Sequence, residues 1–367
     1  MSIEIRNLTK RYKAETVLDD ISLEVPAGQT LALFGPSGAG KTVLLRCIAG
    51  AVDPEAGSIH LGGEDMTQTP PQTRGVGMAF QNFALFPHMS AFDNIASPLT
   101  ARREAAPTLK ERVGDVARLL KIDHVLGHAP RELSNGQKQR TALGRALAAE
   151  PDVLLLDDPL RNVDAKLRFE MRLELPRLLA DRGATVIYVT QDFREAMALG
   201  DRIAVLDQGK LSQVGTPEEI YDTPATVEIA RLFGDPTINL LDVTPVRSGD
   251  QLTVEISGKA LTLPEGYDAE GQACILGIRP ELLSFTDDPS AIPVEIEAVT
   301  PFNEKTVTLT KTKRGRELLV SQPSDGRNSP ISDPAFLAVD SGAVLLFDKA
   351  TGARIAPRSS DAREVAA

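Results

Sequence analysis

The chain has 367 residues, more than one typical domain and about right for two. Its hydrophobic fraction of 42% and charged fraction of 25% are ordinary globular values, which excludes global disorder and a fibrous repeat. A formal net charge of −11 argues against nucleic acid as a partner, because phosphate backbones are held by clustered Lys and Arg.

The N-terminus, MSIEIRNLTKRYK, lacks the apolar run of a signal peptide, and no stretch approaches the roughly 18 apolar residues of a membrane-spanning helix. The expectation is a soluble protein that stays in the cytosol. Residues 1–30 alternate apolar and polar (Ile3, Ile5, Leu8, then Val17, Leu18, Ile21, Leu23, Val25) and predict a layer of antiparallel strands. A strand at 30–34, a Gly-rich turn and a helix at 42–49 follow. Helical periodicity returns at 109–121 and 136–148, and continuous apolar runs at 153–156 and 184–189 suit the interior of a parallel sheet covered on both faces. The core is therefore α/β.

After 203–207 the character changes near Thr237 to short alternating strands at 252–256, 273–278, 294–299, 306–310, 317–320 and 344–347, which suggests a small antiparallel barrel. Residues 357–367 lack periodicity and read as a tail. Cys47 and Cys274 stand far apart without a CxxC, so they read as buried small hydrophobes in a reducing compartment. His60, His88, His124 and His128 show no metal-ligand spacing.

The chemistry lies in Gly35-Pro36-Ser37-Gly38-Ala39-Gly40-Lys41-Thr42, which satisfies G-x-x-x-x-G-K-[ST] between a strand and a helix. Glycines let backbone N–H groups converge on phosphate oxygens, and the helix N-terminus favours negative charge. Lys41 is placed for the β/γ-phosphates and the Thr42 hydroxyl for Mg²⁺. Asp157, closing the apolar run Val-Leu-Leu-Leu-Asp, supplies the carboxylate that a Mg²⁺·ATP site requires.

Leu133-Ser134-Asn135-Gly136-Gln137-Lys-Gln139-Arg140 resembles the LSGGQ-x-Q-R signature of ABC ATPases, and it precedes the Asp157 strand as in that family. Physically, Ser134 is a good N-cap and Gly136 allows close backbone approach, so the helix offers a positive end to an anion. The resemblance implies a head-to-tail dimer in which Ser134, Asn135, Gly136, Gln137 and the D-loop Asp164 serve the partner's nucleotide. It further implies that Tyr12 stacks on adenine and that Gln81 contacts Mg²⁺ and senses a membrane subunit. Leu85-Phe-Pro-His-Met89 would then border a groove for a coupling helix. GTPEEIYDTPAT and Gly277-Ile-Arg-Pro-Glu281 resemble the maltose-type sugar-importer branch with its C-terminal OB-like TOBE domain. The expected organisation is an ABC ATPase domain at 1–236, with its helical subdomain at about 83–150, and an all-β OB-like domain at 237–356.

The chain also departs from the family pattern. Asp158 stands where a glutamate usually polarises the attacking water, and Gln191 stands at the switch histidine. A carboxylate pulled back by roughly an Å can cost about 10²-fold, and an amide cannot carry the imidazolium charge. Val43 replaces a hydroxyl residue at the α-phosphate and Asn135 the first signature glycine. Arg161 replaces a small D-loop serine, either as a solvated charge or as a dimer-facing residue.

The reading is an ATP hydrolase with Asp158, Gln191 and Gln81 as catalytic candidates and its own site weakened. It would drive uptake of a small sugar- or polyol-like solute on the cytoplasmic face of the inner membrane, with two permease subunits and, indirectly, a solute-binding protein. Its dimer partner would be a second, different ATPase chain, in a heterodimer of one degenerate and one competent composite site. The alternatives are an active homodimer, or a non-transport ABC protein for which ATP is a regulatory ligand.

Overall fold

The structure, a computed structural model, describes residues 1–302, 304–324 and 334–358, and most of the expected tail at 357–367 lies outside them. The chain divides into two compact units, Met1–Pro217 and Glu218–Ala367.

In the first unit the opening alternation becomes β1 (Ile3–Tyr12) and β2 (Glu15–Val25), which pair antiparallel. They are followed by β3 (Thr30–Phe34) and α1 (Lys41–Ile48). β4 (Ala56–Leu61) and β5 (Glu64–Asp65) complete a sheet of order β2-β1-β4-β5. After β6 (Val76–Ala79) come the helices α2 (Ala91–Ala101), α3 (Ala106–Leu119) and α4 (Asn135–Ala148). The remainder is β7 (Val153–Asp157), α5 (Ala165–Arg182), β8 (Thr185–Thr190), α6 (Phe193–Leu199), β9 (Arg202–Asp207) and β10 (Lys210–Gly215).

The second sheet has the order β10-β9-β3-β8-β7-β6, and all its pairings are parallel except β9 with β10. β3, β7 and β8 are buried at every position, as continuous apolar runs require. Alternate residues of one strand feed different cores. Val153, Leu155, Ile187 and Val189 pack with α1 and the antiparallel layer. Leu154, Leu156, Val186 and Tyr188 pack with α2, α3, α4 and α5. This sandwiching fixes the sheet, and with it the loops at its carboxyl edge. Arg74, 2% exposed, anchors α1 by donating to Cys47 O (2.9 Å), which also accepts from Gly50 N, and to Ile48 O (2.8 Å), a carbonyl of the helix end.

The second unit opens with α7 (Pro217–Asp222) and α8 (Val227–Leu232). Its strands are β11 (Asn239–Val243), β12 (Val246–Ser248), β13 (Gln251–Ile256), β14 (Lys259–Thr262), β15 (Cys274–Ile278) and β16 (Leu283–Thr286). They continue as β17 (Ile292–Pro301), β18 (Lys305–Thr312), β19 (Glu317–Pro323), β20 (Ala335–Val339), β21 (Leu345–Asp348) and β22 (Arg354–Ile355). Among the described residues these form three antiparallel sheets, β11-β15-β21-β22, β12-β13-β14 and β16-β20-β17-β18-β19, around one apolar core.

The units divide earlier than the expected 236/237 boundary, for a physical reason. Val227 and Ala230 of α8 pack on Ile238, Leu345 and Phe347. The buried Arg279 donates to Ala230 O (3.1 Å), Phe233 O and Tyr221 O (2.6 Å), and its guanidinium lies 3.8 Å from the Tyr221 ring centroid. The two short helices thus belong to the C-terminal unit.

Candidate nucleotide-binding site

Residues 35–40 join the carboxyl end of β3 to the start of α1. Gly40 has φ 104°, and a Cβ there would lie 2.8 Å from Val17 O, so the turn into the helix requires glycine. Lys41 is buried, and its Nζ donates to Gly35 O (2.7 Å) and Pro36 O (2.6 Å). Burial lowers the pKa of its ammonium against the pull of Asp158 and Asp157, with Arg161 adding a smaller lowering. The Thr42 hydroxyl donates to Asp157 Oδ2 at 2.9 Å, with Oδ1 at 3.2 Å. Burial raises the Asp157 carboxyl, and the Thr42 hydrogen bond opposes that rise. A hydroxyl beside a carboxylate is a hard-oxygen pair that fits Mg²⁺, which takes a few protein oxygens and fills its other positions with phosphate and water. Val43 packs at the margin of the core below.

Parallel register brings the other candidates to the same edge. Phe34 pairs with Thr190, Asp157 with Val189, and Ala79 with Leu156. Residues just beyond these strand ends, Gly35, Asp158, Gln191 and Gln81, therefore share the carboxyl edge of the sheet, where ligands of open α/β sheets bind. Asp158 adopts φ 51° and is 7% exposed. Its backbone N–H donates to Val189 O at 3.0 Å. Burial first, and then the charge of Glu195, push its carboxyl pKa up to about 6, while Arg161 and Lys41 pull it down. Gln81 and Gln191 are exposed, and neither side chain is brought into a hydrogen bond among the described residues. Tyr12 lies exposed at the end of β1 with Lys10 Nζ 5.1 Å from its ring centroid.

The signature segment opens α4 through a complete capping box. Ser134 Oγ accepts from Gln137 N (3.3 Å) and Gln137 Oε1 accepts from Ser134 N (2.9 Å), while Asn135 is the first helical residue. A Cβ on Gly136 would come 3.1 Å from Asn162 O, so the glycine lets the helix start lie against the D-loop. Asp164 caps α5, its Oδ1 accepting from Leu167 N at 3.0 Å.

Three features escaped the reading of the sequence. Gln139, buried in α4, donates through Nε2 to Asp158 O (2.7 Å) and accepts through Oε1 from Asn162 N (2.8 Å), so one amide ties the signature helix to the main chain at Asp158 and to the D-loop. Glu195 is buried on α6 and accepts from Tyr188 OH and Thr190 Oγ1, both at 2.9 Å, which places a second carboxylate behind Asp158. Gln139 stands within the signature motif, but its main-chain partners 19 and 23 positions away are not part of that motif, and nothing in the sequence marks Glu195. The segment after Gln81 is also fastened. Asn94 Oδ1 accepts from Phe86 N and its Nδ2 donates to Phe86 O, Met89 O and Ser90 O, while Arg145 donates to Phe83 O and Ala84 O. Beside it runs a groove of about 480 Å³ lined by Met78, Phe80, Phe86, Pro98 and Arg145.

Comparison with known proteins agrees with this geometry. Residues 18–161 match the ABC transporter family and residues 234–283 the MalK OB fold domain. The trehalose/maltose import ATP-binding protein MalK of Thermococcus litoralis is 43% identical over 291 residues, 76% of this chain and 78% of the relative. The sn-glycerol-3-phosphate import ATP-binding protein UgpC of Yersinia pseudotuberculosis is 37% identical over 97% of this chain and 99% of its own length. Among solved structures, the ATP-binding cassette MJ0796 in a dimeric post-hydrolysis state with ADP and Pi superposes with a TM-score of 0.55 at 29% identity. It covers 59% of this chain and 98% of the cassette. With its nucleotide-binding edge, its capped signature helix and its C-terminal OB-type unit, this chain belongs to the ATP-binding, ATP-hydrolysing subunits of the ABC transporter family, in the MalK-like branch.

Proposed function

We propose that the chain couples ATP binding and hydrolysis to uptake of a small sugar- or polyol-like solute. It works on the cytoplasmic face of the membrane as a head-to-tail dimer beneath two permease subunits fed by a solute-binding protein. The observation that carries this is the convergence of Lys41, Thr42, Asp157 and Asp158 on one sheet edge, in a chain whose signature helix starts with its capped N-terminus against its own D-loop. The solute class rests on what the MalK and UgpC relatives are named for. No helix among the described residues is long and apolar enough to cross a membrane, so passage of the solute falls to other subunits.

In this mechanism the P-loop amides and Lys41 hold the phosphates, Lys41 exchanging the Gly35 and Pro36 carbonyls for phosphate oxygens. Thr42 and Asp157, with Gln81, would hold Mg²⁺, which would neutralise phosphate charge. Asp158 orients the attacking water and accepts its proton, Gln191 hydrogen-bonds near the γ-phosphate, and Tyr12 stacks on adenine. Ser134, Gly136 and Gln137 close the partner's site across the dimer, with Asp164 at the interface, and the groove beside Phe86 receives the permease. The dimer we favour is of two copies of this chain, since the solved cassettes it resembles are themselves dimeric.

A second reading, pairing with a different ATPase chain that carries one competent site, is motivated by Asp158 and Gln191, but no relative supports it. The two readings separate on Ser134→Arg and Asp158→Asn. In a homodimer each substitution abolishes steady-state ATPase, whereas with a competent partner Asp158→Asn leaves most of it. For the site itself, Lys41→Ala should abolish MgATP binding in calorimetry, and binding as tight as the parent's would refute the assignment.

A further inference from the structure

We propose that Arg161 is a ligand of the nucleotide's terminal phosphate within its own chain, standing in for the positive charge that Gln191 cannot provide. The proposal rests on the ATP-site reading above and adds a residue to it. Arg161 lies three residues beyond Asp158, in the turn closed by Arg161 N donating to Asp158 O at 3.3 Å. Arg168 Nη2 donates to the Arg161 carbonyl at 3.2 Å and Asn162 N–H is fastened by Gln139, so the backbone that carries the side chain is held on both sides. The guanidinium turns back toward the sheet edge. Its Nη1 stands 3.8 Å from Asp158 Oδ2, too long for a hydrogen bond but close enough for an ion pair, and its side chain is 53% exposed against 10% for Asp158.

A guanidinium has five N–H donors in a planar fork, and a carboxylate at 3.8 Å occupies none of them fully. Its charge reaches both Asp158 and Lys41, the two side chains that bracket the place of the γ-phosphate. At that edge a phosphate between Lys41 and Asp158 adds negative charge to a region that already holds Asp157, Asp158 and Glu195. Lys41 meets the phosphate itself and Arg172 stands 3.8 Å from Glu195, and Arg161 adds the further cation beside Asp158, because Gln191 brings only an amide dipole. ADP ends before this point, so the contact distinguishes ATP from ADP.

The test is calorimetry on the full chain with MgADP and with the magnesium complex of a non-hydrolysable ATP analogue, at protein concentrations where the chain is monomeric. Arg161→Gln should weaken the ATP analogue about tenfold, the scale of one charge-assisted hydrogen bond at a half-exposed site, and leave MgADP within about twofold. Arg161→Lys, which keeps the charge, should retain most of the affinity. Equal effects on both nucleotides, no effect on either, or a loss seen only at concentrations where dimers form would each overturn the assignment. A parent chain that binds neither nucleotide would instead refute the ATP-site reading beneath it. Arg161 sits in an exposed turn, so thermal unfolding of Arg161→Gln at the parent's temperature verifies that the comparison is between folded chains.

Discussion

Replacing Gln139 by leucine isolates the link between the signature helix and the main chain at Asp158. The side chain is 4% exposed and forms two hydrogen bonds, to Asp158 O at 2.7 Å and from Asn162 N at 2.8 Å. Leucine keeps the volume and removes both bonds; the Asp158 carbonyl keeps the Arg161 N–H at 3.3 Å, and the Asn162 N–H is left without its acceptor. An unpaired buried polar group costs about 1–3 kcal/mol, which sets the local loss if the Asn162 N–H finds no water. That is a large share of the roughly 5–15 kcal/mol that holds a domain together, and the D-loop turn can relax to recover part of it. Relaxation moves Asp158, and displacement of a reacting group by about 1 Å can cost about 10²-fold in rate. Single-turnover hydrolysis should fall by about that factor. MgATP affinity should stay close to the parent's, because Lys41 and Thr42 are untouched. Urea unfolding measures the stability loss in parallel. Parental stability together with parental hydrolysis would refute the idea that this amide positions Asp158.

Other outcomes follow from individual contacts. Tyr12→Ala should weaken MgATP by about 1–2 kcal/mol in calorimetry, the scale of one aromatic contact, and unchanged affinity would remove it from the adenine site. Arg74→Met should lower the unfolding free energy by about 3 kcal/mol or more in denaturant titration, since the carbonyls of Ile48, Thr67 and Thr69 lose their donor and that of Cys47 keeps only the Gly50 N–H. Asp158→Glu combined with Gln191→His should raise the single-turnover rate at least about tenfold by restoring reach and charge, and a flat response would mean that these positions do not limit hydrolysis.

The nucleotide edge was legible because its determinants are local. Gly40 and Lys41 must stand at a strand-to-helix turn, and buried parallel strands write themselves as the unbroken apolar runs of β7 and β8. Elements with mixed signals were missed. α5 buries Leu167, Met171, Leu175 and Leu179 at helical spacing, but Phe169 (62% exposed) and Leu173 (59% exposed) put apolar residues on its outer face too, and Pro176, a residue that usually ends helices, stands inside it. α2 carries Pro98 in its interior, although its Ser90-x-x-Asp93 capping box is a start signal that sequence alone offers. The unit boundary depends on Arg279 reaching carbonyls of residues 221, 230 and 233, and the Gln139 link spans 19 and 23 positions. Long-range bonds from a side chain to the main chain leave no periodicity to read. The pairing of Asp158 with Arg161, by contrast, is three residues apart, yet it depends on the positive φ of Asp158 that turns the two side chains together.

The composite, head-to-tail site is tested most directly by mixing two inactive variants of the full chain. Lys41→Ala removes the P-loop half of every site and leaves Ser134 intact, while Ser134→Arg does the reverse. Each alone should show no ATPase above background. Mixed in equal amounts, half of the randomly paired dimers contain one complete site of two, so activity should return to about a quarter of the parental rate if the sites act independently. A mixture as inactive as either variant alone would contradict the account.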